Sequence, residues 1–299
     1  MKVHVKTIEL ENGEMLGYRE REGGCEVLVF IHGNMQSSKH WDVLLETIDS
    51  RYKVYAVDLR GCGLSSYNKP FDSLKELAVE VKQFIDQLNL PSVSVIGWST
   101  GGGVAMNLAA MYPERIKNLI LLASLSTRGY PLFKVDEQGN PRLSERLKTK
   151  DDIKTDTARY IPISNAYETK NKEVLKMIWN TLIYTHNQPE EKQYEAYLED
   201  MLTQQNLLDV YYANNRFNIS HHHNGLVDGT GEIDEIQCPA LILWGENDLV
   251  VTEQMTEELK NDFGDKAEFV LLKNCGHSPL IDDLGQLRTA ITSFLQKNV

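Results

Sequence analysis

The chain has 299 residues, enough for one large hydrophobic core or two modest ones, and 41% hydrophobic with 25% charged residues describes an ordinary globular protein. A formal net charge of −12 argues against a polyanionic partner, because nucleic-acid binding leans on clustered Lys and Arg. The opening MKVHVKTIEL has no apolar leader and no run of 18 apolar residues occurs, so neither a signal peptide nor a membrane span is expected.

The first twenty residues, with Asn12-Gly13 as a turn, predict an antiparallel hairpin. Short runs rich in β-branched residues follow: EVLVFIHG (26–33), KVYAVDLRG (53–61), SVSVIGWS (92–99) and NLILLASL (118–125). Two more come late, ALILWGEND (240–248) and AEFVLLKNCGH (267–277). Each reads as a strand buried on both faces, as in a parallel sheet. Helical patterns lie between them. In LKELAVEVKQFIDQL, Leu74, Leu77, Val81, Phe84, Ile85 and Leu88 hold the spacing of one buried stripe. Strand–helix alternation predicts an α/β fold with a mostly parallel, doubly wound sheet.

The alternation stops after Leu125 and resumes near Ile236. The interval is too long for a connecting loop. It reads as an inserted helical cap over 128–232, leaving 1–127 and 233–299 as the core. NKEVLKMIWNTLIYTH puts Val174, Leu175, Ile178, Trp179, Leu182 and Ile183 on one helical side. Eight of the thirteen tyrosines fall in this interval, which suits an aromatic-lined pocket and ordinary helix packing equally.

VIGWSTGGG (95–103) sets a serine among glycines. A strand that turns at once into a helix strains the residue at the bend. Gly97 and Gly101 flank Ser99 at minus two and plus two, where a side chain would collide. This presents the Ser99 hydroxyl at the carboxyl end of a central strand, where such sheets place their ligand crevice.

A serine nucleophile needs a base, and the base an orienting acid. His277 in KNCGHSPLID lies just past the last predicted strand and is the candidate base. WGENDLVV offers Asp248 as the acid, with Glu246 as second choice. The order Ser99, Asp248, His277 suits a nucleophile-elbow triad. An oxyanion hole requires two backbone N–H groups. Thr100 supplies one, and Asn34 in HGNMQSS the other, with Met35 as fallback; His32 and Gly33 shape that loop. Met35 and Trp98 are candidate substrate contacts, core burial being the other reading of Trp98. Four well-separated cysteines (Cys25, Cys62, Cys238, Cys275) without a C-x-x-C pair fit free thiols in a reducing cytoplasm. The run His221-His222-His223 reads as solvated surface, and no metal site is expected.

The HGN loop, DLRGCGLSS (58–66), GWSTGG (97–102), WGENDLVV (244–251) and GHSP (276–279) together resemble the α/β-hydrolase superfamily over nearly the whole chain. That resemblance implies hydrolysis through an acyl-serine with no cofactor, and structural roles for Asp58 and Arg60. Serine at 99 departs from haloalkane dehalogenases and epoxide hydrolases, which carry an aspartate nucleophile. The H-G-G-P-G loop of proline iminopeptidases is absent. The expectation is a cytoplasmic serine esterase acting on small-molecule esters of small or medium acyl chain. Carbon–carbon bond hydrolases and enol-lactonases share the triad, and a catalytically idle small-ligand receptor is the reading from outside enzymology.

Overall fold

The computed structural model describes residues 2–298. The hairpin forms β1 (Val3–Glu9) and β2 (Met15–Arg21), turning at Gly13 with φ of 82°. Then come β3 (Glu26–Ile31), α1 (Asp42–Thr47), β4 (Tyr52–Val57), α2 (Leu74–Gln87), β5 (Val93–Trp98), α3 (Thr100–Met111) and β6 (Ile116–Leu122). The segment after β6 holds a hairpin of β7 (Phe133–Val135) and β8 (Pro141–Arg146), then α4 (Lys150–Lys154), α5 (Tyr160–Glu168), α6 (Lys172–Leu182), α7 (Glu191–Met201) and α8 (Leu207–Arg216). The chain returns to the sheet through β9 (Ala240–Gly245), α9 (Glu253–Phe263), β10 (Ala267–Leu272), α10 (Pro279–Asp282) and α11 (Leu284–Lys297).

The main sheet runs β1-β2-β4-β3-β5-β6-β9-β10; β1, β2 and β4 pair antiparallel, and every pair from β4 to β10 is parallel. Strand periodicity divides its side chains between two cores. Val93 and Val95 of β5 and Leu119 and Leu121 of β6 pack with α2, α3 and α9. Ile96 and Trp98, with Ile120 and Leu122, pack with α1 and α11 on the other face. The α2 stripe from Leu74 to Ile85 is buried as its spacing predicts. Each such Leu, Ile or Phe contributes about 1.5–3 kcal/mol through apolar area removed from water.

Two expectations need correction. The last strand is not buried on both faces: β10 sits at the sheet edge with Glu268 and Phe269 exposed. The segment read as helical opens with the β7–β8 hairpin. There the Asp136 carboxylate accepts the N–H groups of Gln138 and Asn140, and Gly139 takes φ of 85°. Side-chain capping of a tight turn outweighs helix propensity at these positions. The helices that follow share a core of their own, including Ile163, Leu175, Trp179, Tyr184, Tyr197 and Tyr211, and Met35 of the β3–α1 loop joins it.

Candidate active site

β5 passes into α3 with Ser99 alone at the bend, at φ 57° and ψ −119°. Such a backbone costs a non-glycine residue about 1–3 kcal/mol and persists only where surrounding bonds impose it. The Ser99 N–H donates to the Leu122 carbonyl (3.0 Å), and its carbonyl accepts from Gly102 N (2.9 Å) and Leu125 N (3.3 Å). The flanking glycines are required by close approach. A Cβ on Gly97 would lie 2.3 Å from the Gly101 carbonyl oxygen, and one on Gly101 would lie 2.2 Å from that of Ile31.

His277 follows β10 and is buried. Its Nδ1 and Asp248 Oδ2 form a hydrogen bond of 2.9 Å. The other Asp248 oxygen accepts the N–H groups of Val250 (2.7 Å) and Val251 (2.9 Å), so loop geometry fixes this carboxylate. Glu246, the second choice, points elsewhere: Lys273 Nζ (2.8 Å) and Asn274 N (3.2 Å) bind it, and the Lys273 ammonium lowers its pKa. Ser99 and His277 both line one cavity of about 620 Å³, within the range of small-molecule sites.

The β3–α1 loop is held from several sides. His32 Nδ1 donates to the Gly33 carbonyl (2.7 Å) while its Nε2 accepts from Leu59 N (2.9 Å), and burial lowers its pKa, so the imidazole is a neutral brace. Gln36 Oε1 accepts Gly33 N (2.8 Å), and Gln204 Oε1 accepts Met35 N (3.0 Å). Met35 sits at φ 59°. Between these occupied donors the Asn34 N–H meets no acceptor among the described residues. Thr100 opens α3, so its N–H lacks an intrahelical partner. Asn34, Thr100 and Met35 all line the cavity.

Trp98, a candidate substrate contact, is buried and does not line the cavity. It has the strand parity of Ile96, lies in the core beneath the sheet, and its Nε1 donates to the His277 carbonyl (2.9 Å). It thereby ties the His277 backbone to β5. Asp58 accepts Ser38 N and Leu64 N, and Arg60 binds Glu80, as the expected structural roles require. The side chains of His221, His222 and His223 are exposed. All four cysteines are free; burial pushes the Cys275 thiol up to about 12.

Sequence reasoning missed Gln204. It lies between α7 and α8 and uses all its bonding capacity: Met35 N and Tyr167 Oη (2.9 Å) reach its oxygen, and its amide nitrogen reaches Asn34 Oδ1 (2.8 Å) and Asn206 Oδ1 (2.7 Å). Asn214 Nδ2, also missed, donates to Thr100 Oγ1 (2.8 Å). No local motif marks either residue. Of the aromatic residues in this insertion's core, Trp179 and Tyr211 also line the cavity, whereas Tyr184 and Tyr197 do not. Among the described residues no helix is long and apolar enough to cross a membrane.

A family profile described as alpha/beta hydrolase fold matches residues 26–284. A 2-hydroxy-6-oxononadienedioate/2-hydroxy-6-oxononatrienedioate hydrolase of Paraburkholderia phymatum is 26% identical over 90% of this chain and 87% of its own length. A pimeloyl-[acyl-carrier protein] methyl ester esterase of Nitrosospira multiformis is 26% identical over 90% of this chain and 94% of its own. Among solved structures, an esterase from Exiguobacterium antarcticum superposes with a TM-score of 0.75 at 16% identity, covering 98% of this chain and 100% of that one. An enol-lactonase from Burkholderia xenovorans LB400 does so at 0.72 and 18% identity, covering 97% and 100%. With the profile spanning most of the sequence and the same architecture in the coordinates, the chain belongs to the α/β-hydrolase fold family.

Proposed function

We propose that the protein is a serine hydrolase of carboxylic esters, working through an acyl-serine. The observation that carries this reading is the buried Asp248–His277 hydrogen bond beside a cavity that Ser99 also lines. Asp248 fixes the imidazole with Nδ1 protonated, which leaves Nε2 as the base. Nε2 removes the Ser99 proton as Oγ attacks the carbonyl carbon. The Asn34 and Thr100 N–H groups stabilise the oxyanion where its charge develops. The tetrahedral intermediate collapses, and the imidazolium returns the proton to the departing alcohol. Water, deprotonated by the same nitrogen, then releases the acid. Residues 128–232 serve as a cap over the core of 1–127 and 233–299, and the four free thiols suit a reducing cytoplasm.

A fluorophosphonate probe is expected to label the protein at Ser99, with labelling abolished in Ser99→Ala. Persistent labelling of that variant sinks the reading. Cleavage of a carbon–carbon bond by the same residues is the second reading, supported by the dienedioate hydrolase relative. Comparing nitrophenyl esters with dienoate or diketone substrates separates the two: higher kcat/KM on the latter favours the second.

A further inference from the structure

The cavity wall is mostly apolar, and Arg159 is the one Lys, Arg, Asp or Glu side chain in it. In a chain of net charge −12, the sole formal charge in the pocket is thus positive. The guanidinium is fixed: Nε donates to Asp156 Oδ2 (2.8 Å) and one terminal nitrogen, Nη2, to the Phe133 carbonyl (2.7 Å). Asp156 is itself buried, and its other oxygen accepts Ala158 N (3.0 Å) and Arg159 N (3.3 Å), so its negative charge is shared with backbone donors. The remaining terminal nitrogen, Nη1, has no acceptor among the described residues.

Two further unused donors lie beside it. Tyr130 and Tyr211 line the same cavity, and neither hydroxyl has a protein partner among the described residues. Burial pushes both phenols up while the nearby Arg159 charge opposes that shift, so both remain protonated donors at neutral pH. Tyr130 N donates to the Asn214 carbonyl (2.8 Å), and Asn214 is the residue bonded to Thr100 beside the nucleophile. Three unused donors thus lie together in a mostly apolar wall, and the nearest anion, Asp156, is already bonded to Arg159 Nε and to backbone N–H groups.

We propose that this cluster is a carboxylate subsite: the substrate is an ester whose apolar body ends in a carboxylate, received by Arg159 Nη1 and the Tyr130 and Tyr211 hydroxyls. The proposal rests on the ester-hydrolase reading for the reaction, though the binding step stands independently of it. Charge-assisted hydrogen bonds of this kind correspond to about 10–100-fold in affinity. An ester without the second carboxylate leaves Arg159 Nη1 and the two hydroxyls unpaired by substrate, which sets the specificity.

The test uses the full chain carrying Ser99→Ala, titrated calorimetrically with monomethyl and dimethyl esters of diacids from succinate to sebacate. At one chain length the monomethyl ester is expected to bind at least about tenfold tighter than the diester. That preference should fall to about one with Arg159→Gln added. Adding Tyr130→Phe and Tyr211→Phe instead keeps the Arg159–Asp156 pair and should reduce it severalfold, which guards against misfolding of the arginine variant. Equal binding of both esters, or a preference that survives Arg159→Gln, overturns the proposal. A second assay separates it from the reaction. The unmutated enzyme should favour mono-nitrophenyl diacid esters over nitrophenyl alkanoates of equal length in kcat/KM. Carboxylate-dependent binding without any ester turnover overturns the hydrolase reading and supports the subsite; ester turnover indifferent to the carboxylate overturns the subsite and supports the hydrolase.

Discussion

Two acidic side chains two positions apart follow β9, and only one meets His277. Asp248 has both oxygens committed, one to His277 and one to loop N–H groups, whereas Glu246 faces Lys273 at the surface. Asp248→Asn is therefore expected to lower kcat by about 10⁴ with KM little changed, by favouring the wrong imidazole tautomer. Glu246→Gln, which removes an exposed pair, should leave kcat/KM within a factor of two or so. Steady-state kinetics on a nitrophenyl ester checks both, and equal losses would remove Asp248 from its role. The sequence made the pair legible because each residue follows a strand whose end is marked by its β-branched run. Of the two readings of Trp98, strand parity supports burial: Ile96 and Trp98 share one face of β5, and that face is core.

At the level of elements, the β5–α3 bend was readable because every part of it is local: strand, bend, helix and two glycines within a few residues. The β7–β8 hairpin was not, since its strands are short and polar and only the Asp136 turn marks it. The clasp between the α7–α8 connection and the β3–α1 loop was equally hidden, because 170 positions separate Gln204 from Asn34. Gln204→Leu keeps the volume and removes four hydrogen bonds. It is expected to lower kcat by about 10²–10³ with a smaller change in KM, since it loosens the loop that donates to the oxyanion in the proposed mechanism. Unchanged kcat in a folded Gln204→Leu protein would remove Asn34 from the oxyanion hole. Fluorophosphonate labelling rates offer an independent reading of the same defect.

For the whole molecule, buried His32 makes stability depend on pH. Burial lowers its folded pKa below the ordinary value of 6.5, so the unfolded chain takes up a proton at pH values where the folded chain does not. Stability from this group is complete above about pH 6.5 and is lost as pH falls toward the folded pKa. The urea midpoint should drop between pH 8 and pH 5.5, and the His32 imidazole resonance should titrate at lower pH than that of a histidine in the unfolded chain; a midpoint that rises on acidification contradicts this. The cavity escaped sequence reading for a related reason of scale: Arg159, Tyr130, Tyr211 and Leu249 come from segments that meet only once the sheet has formed. The Gln204 clasp has a further consequence for timing. Its bonds to Asn34 and Met35 are near 3 Å, so separating the α7–α8 connection from the β3–α1 loop by little more than an ångström would sever them. Under the proposed mechanism one glutamine would thus couple the two segments to the reaction: the Asn34 donor would be held in place only while Gln204 stays bonded to its loop.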